Sequence, residues 1–143
     1  DKNISILPLL LPCGYRKASA GDETGLTVYM FKPAHYDLFV KQQEDGKQAV
    51  VLRYRLGAMT HIEKEVILPQ GKVQLRVKGD KDIYSFEYAT DGKNFKEMGR
   101  MNACYISTET PGDFTGITLG LYAASGSTGS EAYADFEYFD YEK

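Results

Sequence analysis

The sequence predicts an all-β fold, a sandwich of two antiparallel sheets, and three observations lead there. Apolar residues recur at every second position along most of the 143-residue chain, and helical periodicity is nearly absent. Turn signals built from Gly, Asp and Pro interrupt that alternation often, as expected of many short strands. The aromatic content rests on 11 Tyr and 7 Phe with no Trp, residue types that suit a pleated, half-buried surface. At this length one core is expected, so residues 1–143 read as a single domain.

Each element follows from local pattern. Ile4 to Leu11 is a short apolar run broken by Pro8 and reads as a strand; it lacks the basic start and small-residue cleavage site of a signal peptide. Gly25 to Lys32 places Leu26, Val28 and Met30 on one face, and Tyr36, Leu38 and Val40 continue after Pro33. Glu44-Asp45-Gly46-Lys47 is a hairpin, because Asp-Gly supplies the positive φ of a tight turn. Val50 to Arg55 returns, and Met59 to Leu68 is a further extended run closed by Pro69-Gln70-Gly71. Val73, Leu75 and Val77 alternate with polar residues, and after Gly79-Asp80 so do Tyr84, Phe86 and Tyr88. Asp91-Gly92 turns the chain into an extended stretch from Phe95 to Met101. Ile117 to Ala123 is a strand, Ser125 to Ser130 a polar loop, and Ala132 to Tyr141 a last strand with Ala134, Phe136 and Tyr138 on one face.

Charge and motifs exclude several functions. The net charge is −3 with signs mixed along the chain, so no basic stripe exists for nucleic acid or for an anionic membrane. No apolar run reaches the roughly 18 residues of a spanning helix. Cys13, Cys104, His35 and His61 are too scattered for a zinc motif, and the two cysteines read as ordinary thiols that leave the compartment unassigned. No Gly-x-Ser-x-Gly sequence and no phosphate loop followed by a helix occurs. Asp135 and Glu137 share a strand face about 7 Å apart, a spacing compatible with a pair of glycosidase carboxylates; acids on the outer face of a final strand are more often solvated. Sugar faces stack on exposed aromatic rings, which makes Tyr29, Tyr54, Tyr84, Tyr105 and Tyr122 candidates, each competing with a place in the core.

Several stretches together resemble a known family. They are Gly25-Leu26-Thr27-Val28-Tyr29 with His35-Tyr36; Val73-Gln74-Leu75-Arg76-Val77; Tyr84 through Gly92; Ile106-Ser107-Thr108-Glu109; Phe114-Thr115-Gly116 through Gly120-Leu121-Tyr122-Ala123; and Ala134 through Phe139. In this order they are similar to the C-terminal concanavalin A-like jelly-roll domain of family 43 glycoside hydrolases of the β-xylosidase and α-L-arabinofuranosidase type. The resemblance implies that a separate five-bladed propeller of the same polypeptide holds the catalytic carboxylates, so that this domain has no activity alone. It also implies that a sandwich loop projects a Phe toward the propeller's active site. The matching residue is Phe114, in Thr110-Pro111-Gly112-Asp113-Phe114-Thr115-Gly116. No cofactor is implied; a structural calcium ion at Asp135 is the one metal alternative. The family usually shows several strands before the match to Gly25, whereas one is legible here, and the chain starts at Asp1 almost inside it. It therefore reads as a C-terminal fragment of a longer polypeptide, with a sandwich edge left open to another chain.

The leading expectation is thus a non-catalytic accessory domain that packs on a propeller and shapes its active-site entrance. Its expected partners are that propeller, short xylo- or arabino-oligosaccharides and a second copy of the chain, in a bacterial polysaccharide-degrading setting. The second reading is a stand-alone carbohydrate-binding module for xylan or arabinoxylan, with Tyr29, Tyr105 and Tyr122 as contacts. The third is a small jelly-roll glycanase working through paired acids such as Glu137.

Overall fold

The computed structural model describes residues 2–11, 20–31, 34–79, 82–102, 118–126 and 133–142. Among them are ten strands: β1 (Lys2–Leu11), β2 (Glu23–Phe31), β3 (Ala34–Gln42), β4 (Gln48–Leu56), β5 (Met59–Leu68), β6 (Gln74–Gly79), β7 (Ile83–Ala89), β8 (Lys96–Asn102), β9 (Thr118–Ala124) and β10 (Tyr133–Glu142). They form two five-stranded sheets, ordered β10-β1-β6-β7-β8 and β5-β4-β3-β2-β9, in which the neighbours pair antiparallel. The chain changes sheet after β1, β5, β8 and β9. The apolar opening run is not an edge: β1 lies between β10 and β6. Among the described residues the edge strands are β10, β8, β5 and β9.

The period-two pattern explains the core. Leu26, Val28, Met30, Tyr36, Leu38, Val40, Val50, Leu52 and Tyr54 of the second sheet meet Leu75, Val77, Phe86, Tyr88 and Met98 of the first. Tyr36 joins the layers through both its ring and its hydroxyl. Its ring meets Phe86 edge-on at 6.1 Å, and its hydroxyl donates to the Asn102 carbonyl at 3.1 Å. Burying each such aliphatic or aromatic side chain contributes about 1.5–3 kcal/mol. Of the tyrosines proposed as sugar contacts, Tyr54 and Tyr84 are corrected here. Tyr54 is buried and Tyr84 packs against the same cluster, because both stand on the inward phase of their strands. Burial, with Glu63 nearby, pushes the Tyr54 phenol up to about 12.

The turns form as their residues dictate. Gly46 has φ +78°, Gln43 N donates to the Lys47 carbonyl at 2.9 Å, and Asp45 accepts from Lys47 N at 3.1 Å. Gly92 has φ +75° beside Asp91, whose carboxyl is held down to about 2 by the backbone amides of Asn94 and Lys93. One face assignment fails. Between the pairs Ile6↔Phe139 and Pro8↔Phe136, β10 has one residue more than β1. Pro8 has no N–H for the ladder, and a bulge takes up the mismatch. Phe136 therefore packs on the core while the Tyr138 hydroxyl accepts from Gln74 Nε2 at 2.8 Å, so Ala134, Phe136 and Tyr138 do not keep one phase.

Candidate functional site

The outer faces of the two sheets differ in kind. On the first sheet, long charged side chains pair across the surface: Arg76 with Glu87 at 2.5 Å and Lys72 with Glu137 at 2.6 Å. Arg100 likewise pairs with Glu97; the Lys72 and Arg100 pairs are solvated, whereas Arg76 and Glu87 are half-buried, with Arg76 over the Phe95 ring. The second sheet's outer face contains buried groups. In register across β9, β2, β3, β4 and β5, one row reads Thr118, Tyr29, His35, Arg55, Thr60. The next reads Gly120, Thr27, Asp37, Arg53, Ile62, and a third places Tyr122, Gly25, Phe39 and Val51 side by side.

A polar network runs through these rows. The Asp37 side chain is only 3% exposed although it points away from the core. His35 Nδ1 lies 2.8 and 2.9 Å from its two oxygens. Arg53 Nε donates to Asp37 Oδ2 at 3.0 Å, and Arg53 Nη2 lies 2.9 Å from both Asp37 Oδ2 and Glu23 Oε1. The guanidinium sits 4.5 Å over the Phe39 ring, and the Tyr122 hydroxyl donates to Glu23 at 3.2 Å. Burial works to raise the Asp37 carboxyl, but the hydrogen bond and charge of His35, with Arg53, outweigh it and leave the group below its ordinary value. Burial opposes the Arg53 charge as well, and Glu23 outweighs it. Burial and the neighbouring carboxylates push the Tyr122 phenol far up.

Local sequence makes this possible. β3 alternates Tyr36, Leu38 and Val40 inward with His35, Asp37 and Phe39 outward. Gly25 lies in register between Tyr122 and Phe39, whose rings meet edge-on at 6.2 Å, and a Cβ at Gly25 would run into the Leu38 carbonyl oxygen and Phe39. At the other end of the sheet an open groove of about 740 Å³ lies between the Ala20-Gly21 turn, the β3–β4 hairpin and Ile67. Among the described residues its lining mixes Lys41 and Lys47 with Glu44 and Asp45 and holds no aromatic ring.

The residues singled out from sequence fall in different places. Tyr29 is 37% exposed on the outer row, its ring stacked 5.8 Å from His35 at 27°. Tyr122 is on the same face but is turned into the network as a support. Phe114, Tyr105, Cys13 and Cys104 lie outside the described residues. Asp135 and Glu137 are exposed on β10; Asp135 accepts from the Phe136 amide at 2.9 Å and Glu137 pairs with Lys72. Among the described residues no three His, Cys, Asp or Glu side chains converge as a metal group would require. The outer network itself was missed. Its signal was present: His35-x-Asp37 and Arg53 all fall on the phase opposite the apolar residues of adjacent strands.

The described network holds and orients its own side chains: Asp37 is lowered and locked to Arg53, whereas a general acid for glycoside cleavage needs a raised carboxyl. The Asp37–His35 pair fixes the imidazole through Nδ1, and Nε2 has no partner among the described residues.

Residues 14–142 match the family model described as the β-xylosidase C-terminal concanavalin A-like domain. The chain is 31% identical over 130 residues to xylosidase/arabinosidase 43B of Humicola insolens, covering 82% of this chain and 24% of that protein. It is 25% identical over 120 residues to the non-reducing end α-L-arabinofuranosidase BoGH43B of Bacteroides ovatus, covering 84% of this chain and 22% of that protein. In fold it is similar to the crystal structure of the GH43 BlXynB protein from Bacillus licheniformis. There the TM-score is 0.83 and the identity 21%, over 98% of this chain and 27% of that one. The chain thus spans about a quarter of the length of these relatives.

Proposed function

The chain belongs to the β-xylosidase C-terminal concanavalin A-like domain family, and from that premise we propose that residues 1–143 act as one non-catalytic accessory domain of a longer glycosidase. The parent activity is of the β-xylosidase or α-L-arabinofuranosidase type. The domain packs on a catalytic domain of the same polypeptide and shapes the entrance to its active site. The observation that supports this most is proportion. The relatives named as xylosidase/arabinosidase and arabinofuranosidase are matched over only 24% and 22% of their length. The lowered, Arg-locked Asp37 on the outer face agrees with a domain that does not itself cleave.

Phe114 is the residue assigned to shape the entrance. It falls between Asn102, the last residue of β8, and Thr118, the first of β9. Asn102 accepts from Tyr36 and Thr118 pairs with Tyr29, so both flanks lie at the Tyr29–His35 end of the sandwich. Loops at one end of a rigid sandwich are where such a function is placed.

Steady-state kinetics on the complete polypeptide test the assignment. With xylobiose or arabino-oligosaccharide as substrate, Phe114→Ala is expected to lower kcat/KM about tenfold, or about 1.4 kcal/mol of transition-state stabilisation. The melting temperature should stay within about 2 °C. Unchanged kinetics on every short substrate would sink the role of Phe114.

A further inference from the structure

We propose that the outer row Thr118–Tyr29–His35–Arg55 is a subsite for one sugar ring of a neutral oligosaccharide, with Tyr29 as the stacking surface and His35 and Arg55 as the hydroxyl-recognising groups. Four observations converge on it. First, Tyr29 is exposed while the ring behind it, His35, is aligned nearly parallel, so the phenol face is held rather than swinging. An amphipathic ring with a polar edge is suited to the apolar face of a sugar and its rim of hydroxyls. Second, His35 is oriented from behind. Asp37 grips Nδ1 through both carboxylate oxygens, and Arg53 holds Asp37 in turn. Nε2 is the remaining polar atom of the ring, and among the described residues nothing occupies it. Third, Arg55 is exposed one strand further along the row and has no ion pair among the described residues. A guanidinium in that position can donate to vicinal hydroxyls.

The fourth observation is energetic. Burying two carboxylates and a guanidinium on the outward face of a sheet costs desolvation that apolar packing would avoid. Among the described residues the opposite sheet's outer face carries two exposed ion pairs and a half-buried one, Arg76–Glu87, but none of these holds a carboxylate as deeply as Asp37, which is 3% exposed. The depth of Asp37 is explained by its hold on His35 and Arg53. The row also lies at the end of the sandwich where Asn102 and Thr118 are placed, whereas the groove by Lys41 and Ile67 lies at the other end. The β5 edge, with Met59, Ile62 and Ile67 exposed, is a weaker candidate, because Glu63, Lys64 and Glu65 interrupt it.

Stacking and hydroxyl recognition would serve any neutral pyranose; the choice of a pentose rests on the proposed glycosidase type. The test is an NMR titration of the 143-residue chain with xylotetraose, with cellotetraose as a second arm. Shifts confined to Tyr29, His35, Arg55 and Thr118 are expected, with a dissociation constant of about 1–10 mM. Tyr29→Ala should weaken binding about tenfold, and Arg55→Ala several-fold. Ile62→Ala, on the same face outside the row, should bind as the unaltered chain does. Because Tyr29 is exposed, the spectrum of the free variant checks that the fold is retained. Binding of cellotetraose alone would keep the subsite and overturn the pentose assignment. No binding of either sugar, shifts elsewhere on the surface, or undiminished binding by Tyr29→Ala would overturn the subsite.

Discussion

Asp37 shows how a single residue can be read for both stability and orientation. It is buried, accepts from Arg53, and holds His35 on the other side. Asp37→Asn removes the charge and leaves a partly buried guanidinium with Glu23 alone. Removing one member of a fully buried pair costs about 3–5 kcal/mol; because Arg53 is 24% exposed, solvent screening reduces this to about 2 kcal/mol. Urea denaturation at neutral pH checks the value. The pH dependence has a definite sign. The folded-state carboxyl lies below its ordinary value, so its contribution is fully present above the unfolded pKa of about 4 and is lost as pH falls through the lower folded pKa. The stability difference between the unaltered chain and Asp37→Asn should therefore shrink as the pH falls below about 4. A gap that failed to shrink there would contradict this account. His35 and Asp37 were visible in the sequence as polar residues on one strand phase. Their partnership with Arg53 and Glu23 was not, because it depends on which strands lie side by side and in what register.

At the scale of elements, alternation and turn chemistry made most strands legible. Gly25 to Lys32 became β2 (Glu23–Phe31), Phe95 to Met101 became β8 (Lys96–Asn102), and Ile117 to Ala123 became β9 (Thr118–Ala124). The buried faces of β2, β3, β6 and β7 followed directly from period two. What failed was phase across a bulge, as on β10, since an extra residue is set by the partner strand and not by the local pattern. Strand order and the central position of β1 are likewise products of long-range pairing. The glycines of adjacent strands give a paired test. A Cβ at Gly25 would sit 2.2 Å from the Leu38 carbonyl oxygen and 2.5 Å from Phe39 Cα, both backbone. At Gly120 the nearest atom is Thr27 Cγ2 at 3.7 Å. Gly25→Ala should cost about 3 kcal/mol or more by pushing β2 from β3. Gly120→Ala should stay within about 1 kcal/mol. Thermal or chemical melts of the two variants distinguish them, and equal losses would show that the close approach at Gly25 is not what the position requires.

For the whole molecule, the fold and the family were readable because short motifs recur in order along nearly the full chain. The mixed charge pattern offered no basic stripe, and among the described residues no helix is long and apolar enough to cross a membrane. Activity was not readable in the same way, because the proposed role depends on surfaces meeting a domain outside these 143 residues. Tyr29 illustrates the division. Its residue type marked it as a sugar contact, but so did those of Tyr54 and Tyr84, and only packing sorts the outward ring from the two that fill the core. The central claim, that this sandwich holds and shapes but does not cleave, is tested most directly by incubating the isolated chain with p-nitrophenyl β-D-xyloside, p-nitrophenyl α-L-arabinofuranoside and xylotetraose. The account predicts that release of nitrophenol or xylose stays at the enzyme-free blank. Turnover above the blank that Glu137→Gln or Asp37→Asn abolishes would contradict it and return the chain to the class of small jelly-roll glycanases.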